Sequence, residues 1–130
     1  MMRFLFLSFS LLLAFASSAM AQSEAELKAC IDRAGGVSTE MLACGKTQID
    51  KWDVRLNAAY KALLRRGSRA ERTRLQREQR AWLKHHLAET ARLAADPNNG
   101  SVAFLDSQSF ELDDLSKRTL ELEARVHRDR

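Results

Sequence analysis

Few side chains in this sequence stand at spacings that could do chemistry. Cys30 and Cys44 are its only cysteines; neither a C-x-x-C pair nor a Cys/His zinc spacing is present, which excludes a dithiol redox centre and a zinc finger. An even count in a chain that opens on an export-type leader points to one disulfide, the alternative being two free buried thiols. His85 and Glu89 stand at i and i+4 with His86 beside them, a spacing that permits one metal ion. No third or fourth ligand recurs at helical spacing, so no metal site is expected. No nucleophile elbow, zinc-protease motif, phosphate loop or convincing acid pair occurs, so no catalytic residue, no cofactor and no enzyme are expected.

The remaining polar residues suit contact rather than turnover. Asp53 and Asn57 are one helical turn apart, Tyr60 follows three residues later, and Gln79 shares a face with Leu75 and Trp82 on the next helix. Buried amides and carboxylates must find partners, so these four polar groups are expected to form an interhelical hydrogen-bond network. The competing reading makes them a binding pocket. Arg65, Arg66, Arg69, Arg72, Arg74, Arg77, Arg80 and Lys84 face only Glu71 and Glu78, a local +6, while Asp106 to Glu123 carries a local −4. The two segments either neighbour each other and partly neutralise, or are solvated faces worth little individually, or leave a basic surface for anionic envelope polymers or an acidic cleft, with Arg65, Arg66, Arg69 and Arg72 as its centre.

These residues need a scaffold, and the punctuation supplies one. Residues 1–21 hold Arg3, the apolar run Phe4 to Phe15 and then Ala19-Met20-Ala21, the pattern of a cleaved secretory signal. The run is shorter than the about 20 residues a bilayer span needs, and Gln22 rather than a cysteine follows the cut, so neither a membrane span nor a lipoprotein is expected. Removing Arg3 with that segment lowers the formal charge from +4 to +3, too mild to name a partner; an exported chain also disfavours nucleic acid. Residues 22–130 suit a single small domain.

Glycines and the lone proline are sparse, which leaves long intervals that helices fill, and an all-α bundle follows. A first helix is expected from a Ser23/Glu26 capping box to Gly35-Gly36, with Leu27, Cys30, Ile31 and Ala34 inward. A second, capped by Ser38 or Thr39, runs to Arg66 on a stripe of Leu42, Ile49, Leu56 and Leu63 with Trp52 and Ala59 interleaved; Gly45 is a tolerated weak point. Gly67 is expected to end it in the left-handed conformation, and Ser68/Glu71 to cap a third helix. That helix presents Leu75, Gln79, Trp82, His86 and Leu93, widened by Leu83 and Leu87, and ends before Pro97. So short a turn predicts that the second and third helices pack as an antiparallel hairpin. Asp96 to Ser101 reads as a loop and Val102 to Leu105 as an apolar patch. A terminal helix then carries Phe110, Leu112, Leu115, Leu120, Leu122 and Val126, with Asp113 and Asp114 near its start and Arg125, His127, Arg128 and Arg130 at its end.

The pattern Asp53, Leu56, Asn57, Tyr60 and then Leu75, Gln79, Trp82 resembles the secreted LprI-like lysozyme-inhibitor family, whose signature joins an early cysteine pair to D-x-x-L-N-x-x-Y and L-x-x-x-Q-x-x-W. The resemblance covers about Cys30 to Leu87, a little over half of the mature chain. It implies an exported helical domain and, in characterised relatives, inhibition of lysozyme. After Trp82 the chain departs from the pattern: an Arg-Asp pair and a third cysteine give way to His86, Leu87 and Thr90, and a fourth cysteine near Ser107 to Phe110 is absent. Two functions compete. One is an inhibitor that occludes the cleft of a lysozyme-type muramidase; the other is a structural or adaptor protein that binds another envelope protein or an anionic glycan without inhibition.

Overall fold

A computed structural model describes the backbone from Leu7 to Arg128 and the side chains from Ser18 to Arg128. Helices α1 (Leu7–Ala34), α2 (Ser38–Arg66), α3 (Arg69–Ala94) and α4 (Ala103–Arg128) follow one another, with a 3-10 turn at Gly100–Val102 before the last. The architecture is the expected all-α bundle. Most of the apolar leader and the terminal Arg130 lie outside the described side chains.

Gly35 and Gly36 both adopt positive φ, 59° and 83°, a conformation that other residues resist, and there the chain reverses from α1 into α2. Cys30 and Cys44 are joined across this turn, their Cα atoms 5.7 Å apart, and pin α1 to α2. The stripe on α2 is inward as expected: Trp52, Leu56, Ala59 and Leu63 are buried, and Ile49 packs against them.

Local details differ from the sequence reading. Helix α1 runs unbroken through Ser23, so Ser23 and Glu26 form no capping box; residues 7–22 are themselves helical and leave no free amide to cap. The N-cap of α2 is Val37, without a side-chain bond, in place of Ser38 or Thr39. Gly67 has φ −71° rather than a left-handed value, and donates to the Leu63 carbonyl at 3.0 Å. The Ser68/Glu71 capping box is present. Helix α4 begins at Ala103, so Val102–Leu105 largely belongs to it, Asp106 occupies its first turn, and Asp113 and Asp114 sit in its interior. Ala103 is almost wholly buried, which anchors that early start.

The larger difference concerns packing. Helices α2 and α3 touch only sparsely, because α4 takes most of the contact surface of both. Bonds from Gln108 to the Leu42 carbonyl, Thr119 to the Trp52 carbonyl and Arg55 to Glu123 ascend both chains together, so α2 and α4 run parallel. Bonds pairing Thr90 with Ser107 and Gln79 with Arg118 show that α3 runs antiparallel to α4. The expected hairpin exists as a connection but is not the seam. Helix α4 buries Leu115, Leu122 and Val126 together with Ser116 and Thr119, whose hydroxyls bond to carbonyls of their own helix and leave no unpaired donor. From α3 only Leu75 joins the fully buried apolar core; Leu83 and Leu87, 45% and 58% exposed, do not widen the inner face. Ser107 Oγ donates to the Thr90 carbonyl at 2.8 Å and ties α4 to α3.

Candidate functional site

The α2–α3 turn is short and tightly held. The Ser68 amide donates to Glu71 Oε2 at 2.6 Å and the Glu71 amide to Ser68 Oγ at 3.2 Å, satisfying two donors at the start of α3. The bonds from Ser68 hold the Glu71 carboxyl below the usual carboxylate range. Arg66 Nη1 donates to the Val126 carbonyl at 3.0 Å, placing a cation at the C-terminal end of α4, where the helix dipole favours it.

Arg65, Arg69 and Arg72 project from this turn, exposed, and among the described residues they make no ion pair. Arg74, Arg77, Arg80 and Lys84 continue the basic surface along α3 in the same state. Five of the six acidic residues of α4 are engaged with other groups, and Glu111 makes no ion pair among the described residues. Asp113 pairs with Lys117, Glu121 with Arg118 and Arg125, Glu123 with Arg55, Asp114 with His86, and Asp106 accepts from Asn99. The arginines of the turn and of α3 therefore stand exposed at the surface.

A cleft of about 540 Å³ opens beside the turn, where the end of α2, the start of α3 and the end of α4 converge. Leu63 and Leu75 are its apolar part; Arg66, Arg74, Arg125 and Arg128 bring four guanidinium groups to it, against the carboxylates of Glu71 and Glu78. Arg125 is committed, donating to Glu78 at 2.7 Å and Glu121 at 2.8 Å, and it holds the Glu78 carboxyl below its ordinary range. Arg74 and Arg128 have no such partner among the described residues. Composition flagged these arginines; their convergence with Arg125 and Arg128 depends on the α4 packing and was not legible.

The remaining sequence-singled residues divide. Leu56 and Leu75 are core residues and Tyr60 packs against that core. Asp53 and Asn57 are exposed: Asn57 Nδ2 donates to the Asp53 carbonyl at 2.9 Å and to Asp53 Oδ2 at 3.2 Å, within one helix. The expected network of Asp53, Asn57, Tyr60 and Gln79 is therefore not formed, since α4 rather than α3 covers α2. Gln79 does bridge helices, accepting from Arg118 Nε at 3.0 Å. Trp82 stacks on His86, with ring centroids 4.8 Å apart, and the buried His86 Nδ1 lies 2.6 Å from Asp114 Oδ2. Arg118 and Asp114 were missed; a lone arginine deep in an acidic run was the available signal for the first. His85 sets its edge against Phe110, and Glu89 is paired with Arg92, which keeps its carboxyl below the ordinary range.

A second groove, about 200 Å³, lies between α1 and α2. In it Trp52 Nε1 donates to Ser23 Oγ at 3.0 Å, Ser23 to Gln48 Oε1 at 3.0 Å, and Gln48 Nε2 to Glu26 Oε2 at 3.1 Å. Lys51 donates to the same carboxylate and, with Gln48 and Gln22, lowers the Glu26 pKa to about 2. These side chains hold one another and position α1.

No curated protein and no solved structure shows a significant match to the chain. The family model described as Lysozyme inhibitor LprI does match, over residues 16–122, so by fold, signature and extent the chain belongs to the LprI lysozyme-inhibitor family.

Proposed function

We propose that the protein is exported, is cleaved after Ala21, and binds a lysozyme-type muramidase whose cleft it blocks with the basic α2–α3 turn. The leader pattern and the Cys30–Cys44 disulfide support export to an oxidising compartment. No helix among the described residues is long and apolar enough to cross a membrane. Muramidases act through two carboxylates flanking the scissile bond, and the guanidinium fork is the side chain best matched to a carboxylate. A turn already held by its capping box loses little freedom on docking.

The observation that carries this reading is that Arg65, Arg69 and Arg72 stand on that rigid turn without a partner of their own. The oxidised protein should slow lysis of cell walls by a muramidase, and the triple variant Arg65→Gln, Arg69→Gln, Arg72→Gln should lose that effect while keeping its helicity. Undiminished inhibition by the variant overturns the choice of surface. No binding at about micromolar concentration, roughly −8 kcal/mol, overturns the function for the enzyme tested.

The extension of the basic surface along Arg74, Arg77, Arg80 and Lys84 favours one competitor, an envelope adaptor that holds an anionic glycan. It differs in outcome: salt-sensitive capture of the polymer with no change in muramidase rate.

A further inference from the structure

The geometry points to the cleft beside the turn as a binding site for the carboxylate end of a short peptide, a site distinct in role from the protruding arginines. The cleft, about 540 Å³ and partly open to solvent, is bounded by three helix ends. Three features select the occupant. Arg74 and Arg128 reach the cleft without an ion-pair partner among the described residues, and Arg66 commits only Nη1, so fork donors are free for a planar anion. Leu63 and Leu75 floor the cleft but are only 9% and 6% exposed, so the apolar part they can meet is no larger than a methyl group. Glu71 and Glu78 each have one oxygen engaged, by the Ser68 amide and by Arg125, and the other free to accept a peptide N–H. Inorganic phosphate offers neither the N–H donors nor the aliphatic part, and those two carboxylates would repel its second charge. A peptide terminus offers all three.

Such a terminus has two sources in an envelope compartment: free short peptides and the peptide stems of cell-wall fragments. The probes are acetyl-Ala-Ala-Ala with a free carboxylate, its C-terminal amide, and a muramidase digest of cell wall, titrated against the oxidised protein by calorimetry and by amide NMR shifts. Saturable binding of the free acid is expected, weakened about tenfold by amidation or by Arg74→Gln or Arg128→Gln, and unchanged by Arg80→Gln on α3 outside the cleft. Both cleft arginines are exposed, so these variants should fold. Competition by the digest assigns the site to wall stems; binding of the tripeptide without such competition assigns it to free peptides. No saturation up to about 10 mM, equal binding of the amide, or indifference to both cleft variants overturns the site. The site does not rest on muramidase inhibition, which the turn variant tests separately.

Discussion

Gln108 lies across Gly45: its Nε2 donates to the Leu42 carbonyl at 2.8 Å, and a Cβ on Gly45 would stand 2.0 Å from its Oε1. A glycine that reads as a weak point inside a long helix is thus a place where a side chain of α4 lies directly against the backbone of α2. Alanine there would gain about 1 kcal/mol of helix propensity but displace the Gln108 amide and forfeit a hydrogen bond of about 1 kcal/mol. Gly45→Ala alone is therefore expected to leave the urea midpoint nearly unchanged. In a Gln108→Ala background the same substitution should stabilise by about 1 kcal/mol, the coupling a double-mutant cycle reads. Equal effects in the two backgrounds would show that the glutamine does not lie there.

The Cys30–Cys44 bond closes a loop of sequence separation 14 and joins two helices that are also tied by the polar chain through Ser23, Gln48 and Glu26 and by the packing of Ala19 and Met20. Loop-closure entropy assigns it about 3 kcal/mol. The Cys30→Ser, Cys44→Ser protein should unfold at lower urea by that amount, and reductant should do the same to the wild type. A loss well under 1 kcal/mol would mean that these other ties alone seat α1.

The inward face of each helix was legible because burial imposes its period on sequence: Trp52, Leu56, Ala59 and Leu63 recur as a helix facing a core must. What each face packs against was not, since a stripe on α2 is the same whether α3 or α4 covers it. That ambiguity misplaced Asp53 and Asn57, which became exposed once α3 moved off the seam, and it hid the cleft, which exists only because Arg125 and Arg128 return to the turn. The start of α4 was hidden for a second reason. Gly100, with φ 52°, opens a 3-10 turn that carries no side-chain cap, so nothing in the letters marks Ala103 as the first helical residue.

Ala19 and Met20, which precede the proposed cleavage point, pack against the core cluster that holds Trp52. Cleavage after Ala21 removes both, while Ser23, which accepts from the Trp52 indole, remains. In a Trp82→Phe background, where only Trp52 reports, emission should shift to longer wavelength on going from the full chain to residues 22–130, as water reaches one side of the indole. Identical spectra would show that the leader residues shield nothing, and would remove any role for cleavage in shaping the α1–α2 groove.

Acid should weaken the fold through carboxylates whose partners hold them ionised. The Glu26 pKa falls from 4.5 to about 2 through bonds from Lys51, Gln48 and Gln22, and Glu71, Glu78 and Glu89 are lowered by Ser68, Arg125 and Arg92. A group whose pKa is lower folded than unfolded binds more protons in the unfolded chain, so its contribution is complete above 4.5 and disappears as the pH falls through the folded value. For Glu26 that window runs from 4.5 down to about 2. Glu26→Gln should therefore be less stable than wild type near neutrality and converge with it near the bottom of the window, where both side chains are uncharged. Because Glu26 is reached by solvent, salt should shrink the neutral-pH gap. Urea midpoints across the window test this directly. A gap that stays constant with pH would mean that the substitution acts through packing in the groove, not through the charge that Lys51 and Gln48 hold.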